Sequence, residues 1–246
     1  MSDRRAGYLT LQTLAPLLYK GGEVNAERMY IVGRSGSGKT FLARSLAAVY
    51  SLDKDHPREF RAGVCVFDPN GLFRLPGARI VKAPGDVEPS VGRPVVIYRP
   101  DAQYLDAEGW NRALKTLFYS KWPVMLVIDE YTALDDLFGS RKLEGGNMLT
   151  AYMSRGRARG KGAIVLTQAP TNVPLIALRN ADRYAVFDLP LDEDRARMTS
   201  VLDRYSLEMK GGKLTQVDLR DRRTLGRYEF WSSRDNSRPI RMSLKG

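Results

Sequence analysis

One octapeptide constrains the fold of this 246-residue chain more than any other feature: Gly-Arg-Ser-Gly-Ser-Gly-Lys-Thr at positions 33–40. It is a complete G-x-x-x-x-G-K-[ST] pattern, whose glycines allow a tight loop with backbone N–H groups directed at phosphate oxygens. The apolar run Met29–Val32 precedes it, and a helical pattern over Gly38–Tyr50 follows it. A phosphate loop needs this strand and this helix, so the alternative of a glycine-rich turn without a ligand is disfavoured.

The loop predicts nucleotide contacts residue by residue. We expect Lys39 to reach the β- and γ-phosphates of ATP, and Thr40 to offer its hydroxyl to Mg²⁺. The other residues expected to bind the nucleotide belong to the same loop: Gly33, Ser35, Gly36, Ser37 and Gly38. The helix that begins near Gly38 adds the positive end of its dipole to this site.

Short apolar runs rich in β-branched residues alternate with helical patterns along the chain. The runs predict strands at Met29–Val32, Gly63–Phe67, Val95–Tyr98, Val124–Ile128, Ala163–Thr167 and Arg183–Phe187, with a late strand at Arg227–Trp231. The helical patterns cover Gly38–Tyr50, Ala107–Tyr119, Asn147–Arg157 and Asp192–Tyr205. This alternation predicts an α/β fold with a mainly parallel sheet and helices on both faces.

The run Val124–Ile128 ends in two consecutive carboxylates, Asp129 and Glu130. At the carboxyl end of a parallel strand, Asp129 is placed to hold Mg²⁺ through water. Glu130 is placed to orient or deprotonate an attacking water. The alternative, a strand followed by an acidic helix cap, is disfavoured because Lys39 and Thr40 are present in the same chain. The adjacent glutamate favours hydrolysis over a small-molecule kinase, which needs no water-activating base.

The next apolar run, Ala163–Thr167, ends in the amide of Gln168. We interpret Gln168 as a contact to the γ-phosphate or to the water, able to report hydrolysis to the loop behind it. A polar residue that only closes a strand is the alternative interpretation.

Composition excludes several other classes of site. The single cysteine, Cys65, cannot form an intramolecular disulfide, and the single histidine, His56, argues against a His-ligated metal centre or a Ser-His-Asp triad. No apolar run approaches the roughly 18–20 residues that span a bilayer. The segment after Met1 is too polar for a signal peptide. We therefore expect a protein of the cytoplasmic side, without a membrane span of its own.

The chain is basic, with 39 Lys and Arg against 28 Asp and Glu, a net charge of +11. Arginine predominates, and its planar guanidinium binds phosphate oxygens in a bidentate way. Positive charge is concentrated in Arg155–Lys161 and in the tail Leu219–Gly246, which has eight basic and three acidic residues. This distribution favours a nucleic-acid partner.

Five segments together resemble the FtsK/HerA superfamily, ring-forming ATPases that pump double-stranded DNA. In chain order they are Gly33–Thr40, Phe67–Gly71, Val127–Glu130, Ser154–Gly160 and Val165–Pro170. A strand that ends in Asp-Pro-x-Gly, and an arginine-containing helix that leads into a strand ending in Thr-Gln, are the most distinctive of these. The resemblance covers about residues 28–205. It implies a P-loop NTPase of the RecA-like type.

The resemblance also implies roles for individual residues. Lys39 and Thr40 bind phosphate and Mg²⁺, Asp129 holds the metal, Glu130 is catalytic and Gln168 is the sensor. Arg157 matches the arginine that reaches the nucleotide of the neighbouring subunit in such rings. Because Arg157 precedes its strand, it starts from the sheet edge opposite to the nucleotide, which favours a contact in trans. Arg155 and Arg159 are the alternatives.

We divide the chain into an N-terminal extension (residues 1–27), an ATPase motor domain (28–218) and a basic C-terminal tail (219–246). Nearly a bare motor, it is similar to the small genome-packaging ATPases of tailless, membrane-containing viruses. The resemblance implies a hexameric or pentameric ring, double-stranded DNA as a partner, and an anchor in a portal, capsid-vertex or membrane protein. The expected location is the host cytoplasm or the packaging vertex of the virion, and the cytoplasm for a cellular protein.

Other functions stay open at this point. A plasmid or cellular translocase has the same motifs, as does a phage-assembly ATPase that does not move DNA. A nucleotide kinase is disfavoured by Glu130 and Gln168. Gly139–Gly146, with its glycines and the cations Arg141 and Lys142, is a candidate pore loop, and a solvated surface loop is the alternative.

Overall fold

The computed structural model describes residues 26–52, 63–90, 94–138, 146–210, 213–221, 225, 228–234 and 239–244. Apart from residues 26 and 27, the N-terminal extension lies outside these ranges. His56, Arg141 and Lys142 also lie outside them.

Strands and helices alternate in the described residues between Arg28 and Met198. The strands are β1 (Arg28–Val32), β2 (Gly63–Phe67), β3 (Arg79–Val81), β4 (Val95–Tyr98), β5 (Val124–Asp129), β6 (Lys161–Thr167), β7 (Arg183–Val186), β8 (Tyr205–Lys210), β9 (Lys213–Asp218), β10 (Glu229–Arg234) and β11 (Ile240–Ser243). The α-helices are α1 (Lys39–Leu52), α2 (Ala107–Tyr119), α3 (Tyr131–Phe138), α4 (Met148–Arg155), α5 (Leu175–Arg179) and α6 (Asp192–Met198). The α/β class predicted from the sequence is confirmed.

Nine of these strands form one sheet in the order β11-β10-β7-β1-β6-β5-β2-β4-β3. The seven strands from β7 to β3 are parallel, and β10 and β11 add to the β7 edge in antiparallel orientation. β8 and β9 form a separate hairpin. The described part of the C-terminal tail therefore contributes two strands to the main sheet.

The sheet is buried on both faces, because its strands are apolar at successive positions. In β2, Cys65 and Phe67 face one hydrophobic cluster, whereas Val64 and Val66 face the other. Helix α1 packs on the second cluster, and α2, α3 and α4 pack on the first. Parallel strands covered by helices on both faces have this continuous apolar character. Burial raises the pKa of the Cys65 thiol, as expected for a residue of the core.

Two helices end earlier than the sequence pattern predicts. α6 ends at Met198 instead of Tyr205, because hydroxyls after it bind the carbonyls of its last turn: Thr199 Oγ1 donates to Arg195 O at 3.1 Å and Ser200 Oγ to Arg197 O at 2.6 Å. α4 ends at Arg155 and continues as a 3₁₀ turn over Gly156–Arg159. Within the described ranges, no helix is both long enough and apolar enough to cross a membrane.

Candidate active site

Three neighbouring parallel strands bring the predicted site residues to one edge of the sheet. β6 lies between β1 and β5, with Val32 opposite Thr167 and Asp129 opposite Leu166. The residues that follow these strands therefore leave the sheet side by side. This edge, the carboxyl edge of the parallel strands, is where α/β sheets bind ligands.

Glycine is required at both ends of the phosphate loop, positions 33–40. A Cβ on Gly33 would lie 2.5 Å from Cβ of Phe187, and the residue has φ +153°. A Cβ on Gly38 would lie 2.5 Å from Cδ1 of Leu244, with φ +109°. The loop is thus packed closely against the segment after β7 and the residue after β11. At Gly33 the Cβ of Phe187 leaves no room for a side chain, whereas at Gly38 the positive φ is what disfavours other residues, because the Leu244 atom is the end of a flexible side chain.

The Lys39 ammonium lies inside the loop. Its Nζ donates hydrogen bonds to the carbonyls of Gly33 at 2.6 Å and Arg34 at 2.9 Å. Burial lowers the pKa of Lys39, while the negative charges of Glu130 and Asp129 oppose that shift. Within the described residues, the buried hydroxyl oxygen of Ser37 has no hydrogen-bond partner. A buried ammonium and an unsatisfied hydroxyl in one loop fit an anionic oxygen ligand.

Thr40 and Asp129 meet across the gap between α1 and β5. The Thr40 hydroxyl donates to Asp129 Oδ1 at 3.3 Å, and Asp129 is 8% exposed. Burial raises the pKa of Asp129, and the negative charge of Asp68 raises it further, whereas the Thr40 hydrogen bond and Arg44 lower it. A hydroxyl and a carboxylate beside a second carboxylate make an oxygen donor set that fits a hard divalent cation.

The Asp-Pro-x-Gly segment after β2 is organised by Asp68. Its buried carboxylate accepts hydrogen bonds at 3.0 Å from the backbone N–H groups of Leu72 and Phe73, and at 2.8 Å from Nε of Arg99. The Arg44 guanidinium of α1 donates to Leu72 O at 2.6 Å, which ties this loop to the helix behind the phosphate loop. The sequence motif marked Asp68, but the contribution of Arg99 depends on a strand pairing that no local pattern reveals.

Glu130 has φ +86°, a left-handed conformation that residues other than glycine rarely adopt. Its Oε2 accepts a hydrogen bond from Nε2 of Gln168 at 3.0 Å, and its Oε1 accepts one from Thr132 Oγ1 at 2.9 Å. The two residues predicted as catalytic base and sensor are therefore in direct contact. Strained backbone of this kind clusters at active sites.

A second path joins Glu130 to the loop after β6. The hydroxyls of Thr132 and Thr167 lie 3.1 Å apart, and Thr167 Oγ1 accepts from the backbone N–H of Ala169 at 3.2 Å. Neither threonine was singled out from the sequence, because their pairing depends on β5 and β6 being neighbours. Thr132 and Gln168 thus hold one carboxylate oxygen of Glu130 each, and Thr132 is itself held by Thr167.

The basic segment 155–159 lies at the opposite end of β6 from Gln168. Arg157 forms an ion pair with Asp182, which precedes β7. Arg159 stacks over the rings of Phe118 and Tyr119, at 4.9 and 5.2 Å from their centres. Seven residues of strand separate the two edges by roughly 23 Å. Arg157 is therefore remote from the phosphate loop of its own subunit.

The candidate pore loop, Gly139–Gly146, lies outside the described residues except for Gly146. Among the described residues, no group of three or more His, Cys, Asp or Glu side chains is arranged to hold a metal ion. Thr40 and Asp129 provide one hydroxyl and one carboxylate, which are fewer ligands than such a group contains.

No family model matches the sequence, and no curated protein sequence matches it. Solved structures do match the fold. The genome-packaging NTPase B204 of Sulfolobus turreted icosahedral virus 2, in complex with AMPPCP, superposes with a TM-score of 0.64 at 17% identity, covering 89% of this chain and 97% of that one. B204 of Sulfolobus turreted icosahedral virus, described as a DNA-packaging ATPase, superposes with a TM-score of 0.59 at 18% identity. The match covers 89% of this chain and 98% of that one.

The plasmid coupling protein TrwB, in complex with the GTP analogue GDPNP, gives a TM-score of 0.60 at 10% identity, covering 95% of this chain and 92% of that one. The complexes with AMPPCP and GDPNP contain nucleotide analogues, and the superpositions show that this chain, with its mainly parallel sheet flanked by helices, shares their fold. The resemblance predicted from the motifs is thus confirmed at the level of the fold, and the chain has the fold of a P-loop NTPase related in architecture to viral genome-packaging and plasmid-coupling NTPases.

Proposed function

We propose that this chain is an ATP-driven translocase of double-stranded DNA, and specifically a viral genome-packaging ATPase that pumps DNA into a capsid. The observation that carries the proposal is the meeting of Lys39, Glu130 and Gln168 at one edge of the sheet. An ammonium in a phosphate loop beside a fixed carboxylate is the arrangement that ATP hydrolysis requires.

In this proposal each residue has a separate task. Lys39 exchanges its two loop carbonyls for phosphate oxygens when ATP binds. Glu130 accepts the proton of the attacking water, and the amide of Gln168 holds that carboxylate in place at 3.0 Å. Thr40 and Asp129 are the residues that would hold Mg²⁺, which neutralises charge on the β- and γ-phosphates.

Water is the acceptor that this geometry favours. Glu130 is fixed through both carboxylate oxygens, by Thr132 and Gln168, and its backbone is strained. A kinase would in addition have to exclude water and bind a phosphate acceptor, because a carboxylate held in this way is equally able to activate water. Hydrolysis is therefore favoured over phosphoryl transfer to a small molecule.

DNA is the proposed polymer because of charge and architecture together. The net charge is +11, and arginines are concentrated in the segment before β6. The fold is shared over nearly the full length of an NTPase described as packaging genomes. Contacts to backbone phosphates would make movement independent of DNA sequence and sensitive to salt.

A ring with a trans arginine forms part of the proposal. Arg157 lies at the sheet edge opposite to its own nucleotide site, so a second subunit is needed to bring it to a phosphate. Arg155 and Arg159 remain alternatives for that role. We expect the ring to be anchored to a portal, capsid-vertex or membrane protein, in the host cytoplasm or at the virion vertex.

A plasmid or cellular translocase is the second candidate, favoured by the match to TrwB over 95% of this chain. An assembly ATPase that does not move DNA is the third. All three would hydrolyse ATP, and the first two should be stimulated by DNA.

The test is ATP turnover with and without duplex DNA of several unrelated sequences, at rising salt. We expect stimulation by every duplex, fading as salt rises because phosphate contacts release counterions. Unstimulated turnover would support the assembly ATPase, and dependence on one short sequence would contradict a packaging motor.

A further inference from the structure

A cavity of about 1040 Å³ opens at the amino edge of the sheet, across the sheet from the phosphate loop. It is bounded by the last turn of α2, by α4 with the 3₁₀ turn after it, by the start of β1 and by the loop between α5 and β7. We refer to it as the amino-edge cavity.

Positive charge dominates this cavity. Its lining includes five arginines, at positions 28, 155, 157, 159 and 179, and a single carboxylate among the described residues, Asp182. The excess is far larger than one carboxylate can neutralise. Four of these arginines are exposed to solvent and Arg28 is buried, and the concave arrangement of their charges raises the local positive potential that attracts anions.

The carboxylate of Asp182 is already engaged. It forms the ion pair with the guanidinium of Arg157, and its Oδ2 accepts a hydrogen bond from the backbone N–H of Arg28 at 2.9 Å. Asp182 therefore has little capacity left for a second guanidinium.

The guanidinium of Arg28 has two nitrogens without a hydrogen-bond acceptor. The residue is 4% exposed, and its Nε and Nη2 are buried without a hydrogen-bond partner among the described residues. Burial lowers the pKa of Arg28, and the positive charge of Arg157 lowers it further, while the negative charge of Asp182 opposes the shift. Buried N–H groups without acceptors are costly, so a cavity lined by them fits a ligand that supplies the missing oxygens.

The remaining walls indicate the chemistry of that ligand. The planar fork of arginine matches phosphate oxygens in a bidentate way. Tyr119, which is 58% exposed and has Arg159 stacked over its ring, adds an aromatic surface suited to a base or sugar. The volume is at the upper end for nucleotide-sized ligands and exceeds what inorganic phosphate needs.

We propose that the amino-edge cavity is a second phosphate-binding site, separate from the phosphate loop, which binds the sugar-phosphate backbone of a nucleic acid strand. A free nucleotide or polyphosphate offers the same chemistry and is the other source of phosphate. The inference goes beyond the proposed function, because binding here requires neither ATP hydrolysis nor the loop at positions 33–40.

The test uses the full chain carrying Lys39→Ala, which removes nucleotide binding at the phosphate loop. Two probes are titrated separately: a 12-nucleotide oligodeoxythymidine and sodium tripolyphosphate. Arg179→Gln is the main variant, because Arg179 is an exposed residue of the cavity and its loss should leave the fold intact. Arg220→Gln is the matched control, an exposed arginine on the turn after β9.

We expect Arg179→Gln to weaken oligonucleotide binding about fivefold or more. The slope of log K against log salt concentration should fall in magnitude by about 0.7, the value of one phosphate contact on a single strand. Arg220→Gln should change affinity less than twofold. Arg28→Gln should have a larger effect, and if that variant fails to fold, Arg179→Gln still decides the matter.

The two probes separate the sources of phosphate. A loss of affinity for the oligonucleotide alone supports a nucleic acid strand as the ligand. A loss of affinity for tripolyphosphate supports a free nucleotide as the ligand. Equal affinities for Arg179→Gln and Arg220→Gln with both probes would overturn the proposal. Because the assay measures binding without turnover, its failure would leave ATP hydrolysis and DNA stimulation unaffected.

Discussion

At the scale of single residues, the strained Glu130 explains how a hydrolysis site is held ready. A left-handed backbone costs about 1–3 kcal/mol for a residue other than glycine, and here it points a carboxylate at the amide of Gln168. Lys39, in contrast, is relaxed in its loop with two carbonyl partners. The two residues should therefore fail in different ways when they are replaced.

Lys39→Ala should abolish ATP binding, whereas Glu130→Gln should bind ATP normally and hydrolyse it about 10²–10⁴-fold more slowly. In the proposed mechanism Lys39 contacts phosphates in the ground state, while Glu130 acts only on the water. Binding of a fluorescent ATP analogue and release of phosphate measure the two effects. Glu193→Gln, an exposed acid of α6, is the control and should behave as wild type. Full turnover by Glu130→Gln would remove this residue as the base.

Gln168→Ala should lower kcat about tenfold with little change in KM, because its amide donates to Glu130 and so positions the proposed base. The corresponding control is Gln103→Ala, an amide in the 3₁₀ turn before α2. Steady-state kinetics at saturating Mg²⁺ separate kcat from KM. A rise in KM with unchanged kcat would instead make Gln168 a substrate-binding residue.

At the scale of elements, the fold supports the phosphate loop from behind with its C-terminal strands. The Phe230 ring of β10 lies 4.8 Å from the ring of Phe187, whose Cβ closes the space at Gly33. Leu244 closes the space at Gly38 from the end of β11. The antiparallel strand β10 and the end of β11 therefore pack against the residues that enclose the phosphate loop.

Phe230→Ala should lower the free energy of unfolding by about 3 kcal/mol and weaken ADP binding, since the support behind the loop is lost. Leu214→Ala, at a residue 63% exposed in the β8–β9 hairpin, is the control and should change both quantities little. Denaturant unfolding and ADP titration measure the two effects. An unchanged unfolding free energy for Phe230→Ala would show that β10 is not part of the core.

Patterns along the chain predicted those elements whose signals are local. The β-branched runs of β1, β2, β4, β5 and β6 and the phosphate loop could all be identified because each lies within a few consecutive residues. The three-residue strand β3 and the polar, alternating hairpin β8–β9 have weaker patterns and were missed.

The arrangement across the sheet could not be predicted in the same way. Placing β6 between β1 and β5 depends on pairing between distant segments. The contact of Thr132 with Thr167 depends on that order, and the contact of Arg99 with Asp68 depends on the pairing of β2 with β4. The left-handed backbone of Glu130 has no local signal, because such strain is maintained by the surrounding fold.

At the scale of the whole molecule, the two edges of the sheet have different tasks in our account. The carboxyl edge holds the hydrolysis site, while the amino edge presents arginines. A ring would place the amino edge of one subunit near the nucleotide of the next. In our account Arg157 would then leave Asp182 for a phosphate of the neighbour, while Arg28 and Arg179 would remain in the amino-edge cavity to contact the nucleic acid strand.

Arg157→Ala should bind ATP normally and hydrolyse it at least about 10³-fold more slowly, the effect of a lost trans arginine. Mixed with Lys39→Ala subunits, it should recover part of the activity, because some interfaces then combine an intact loop with an intact arginine. Arg112→Ala, an exposed arginine of α2, is the control. If mixed rings assemble and no mixture exceeds either variant alone, the trans role is excluded.

The most direct measurement of the central claim, that ATP hydrolysis at this site moves the protein along duplex DNA, is displacement of a triplex-forming strand from a linear duplex. Our account predicts that the wild-type protein releases the third strand when ATP is present, and that Glu130→Gln with ATP does not. It also predicts release from duplexes of unrelated flanking sequence. DNA-stimulated ATP hydrolysis by the wild type without any release of the third strand would contradict the account.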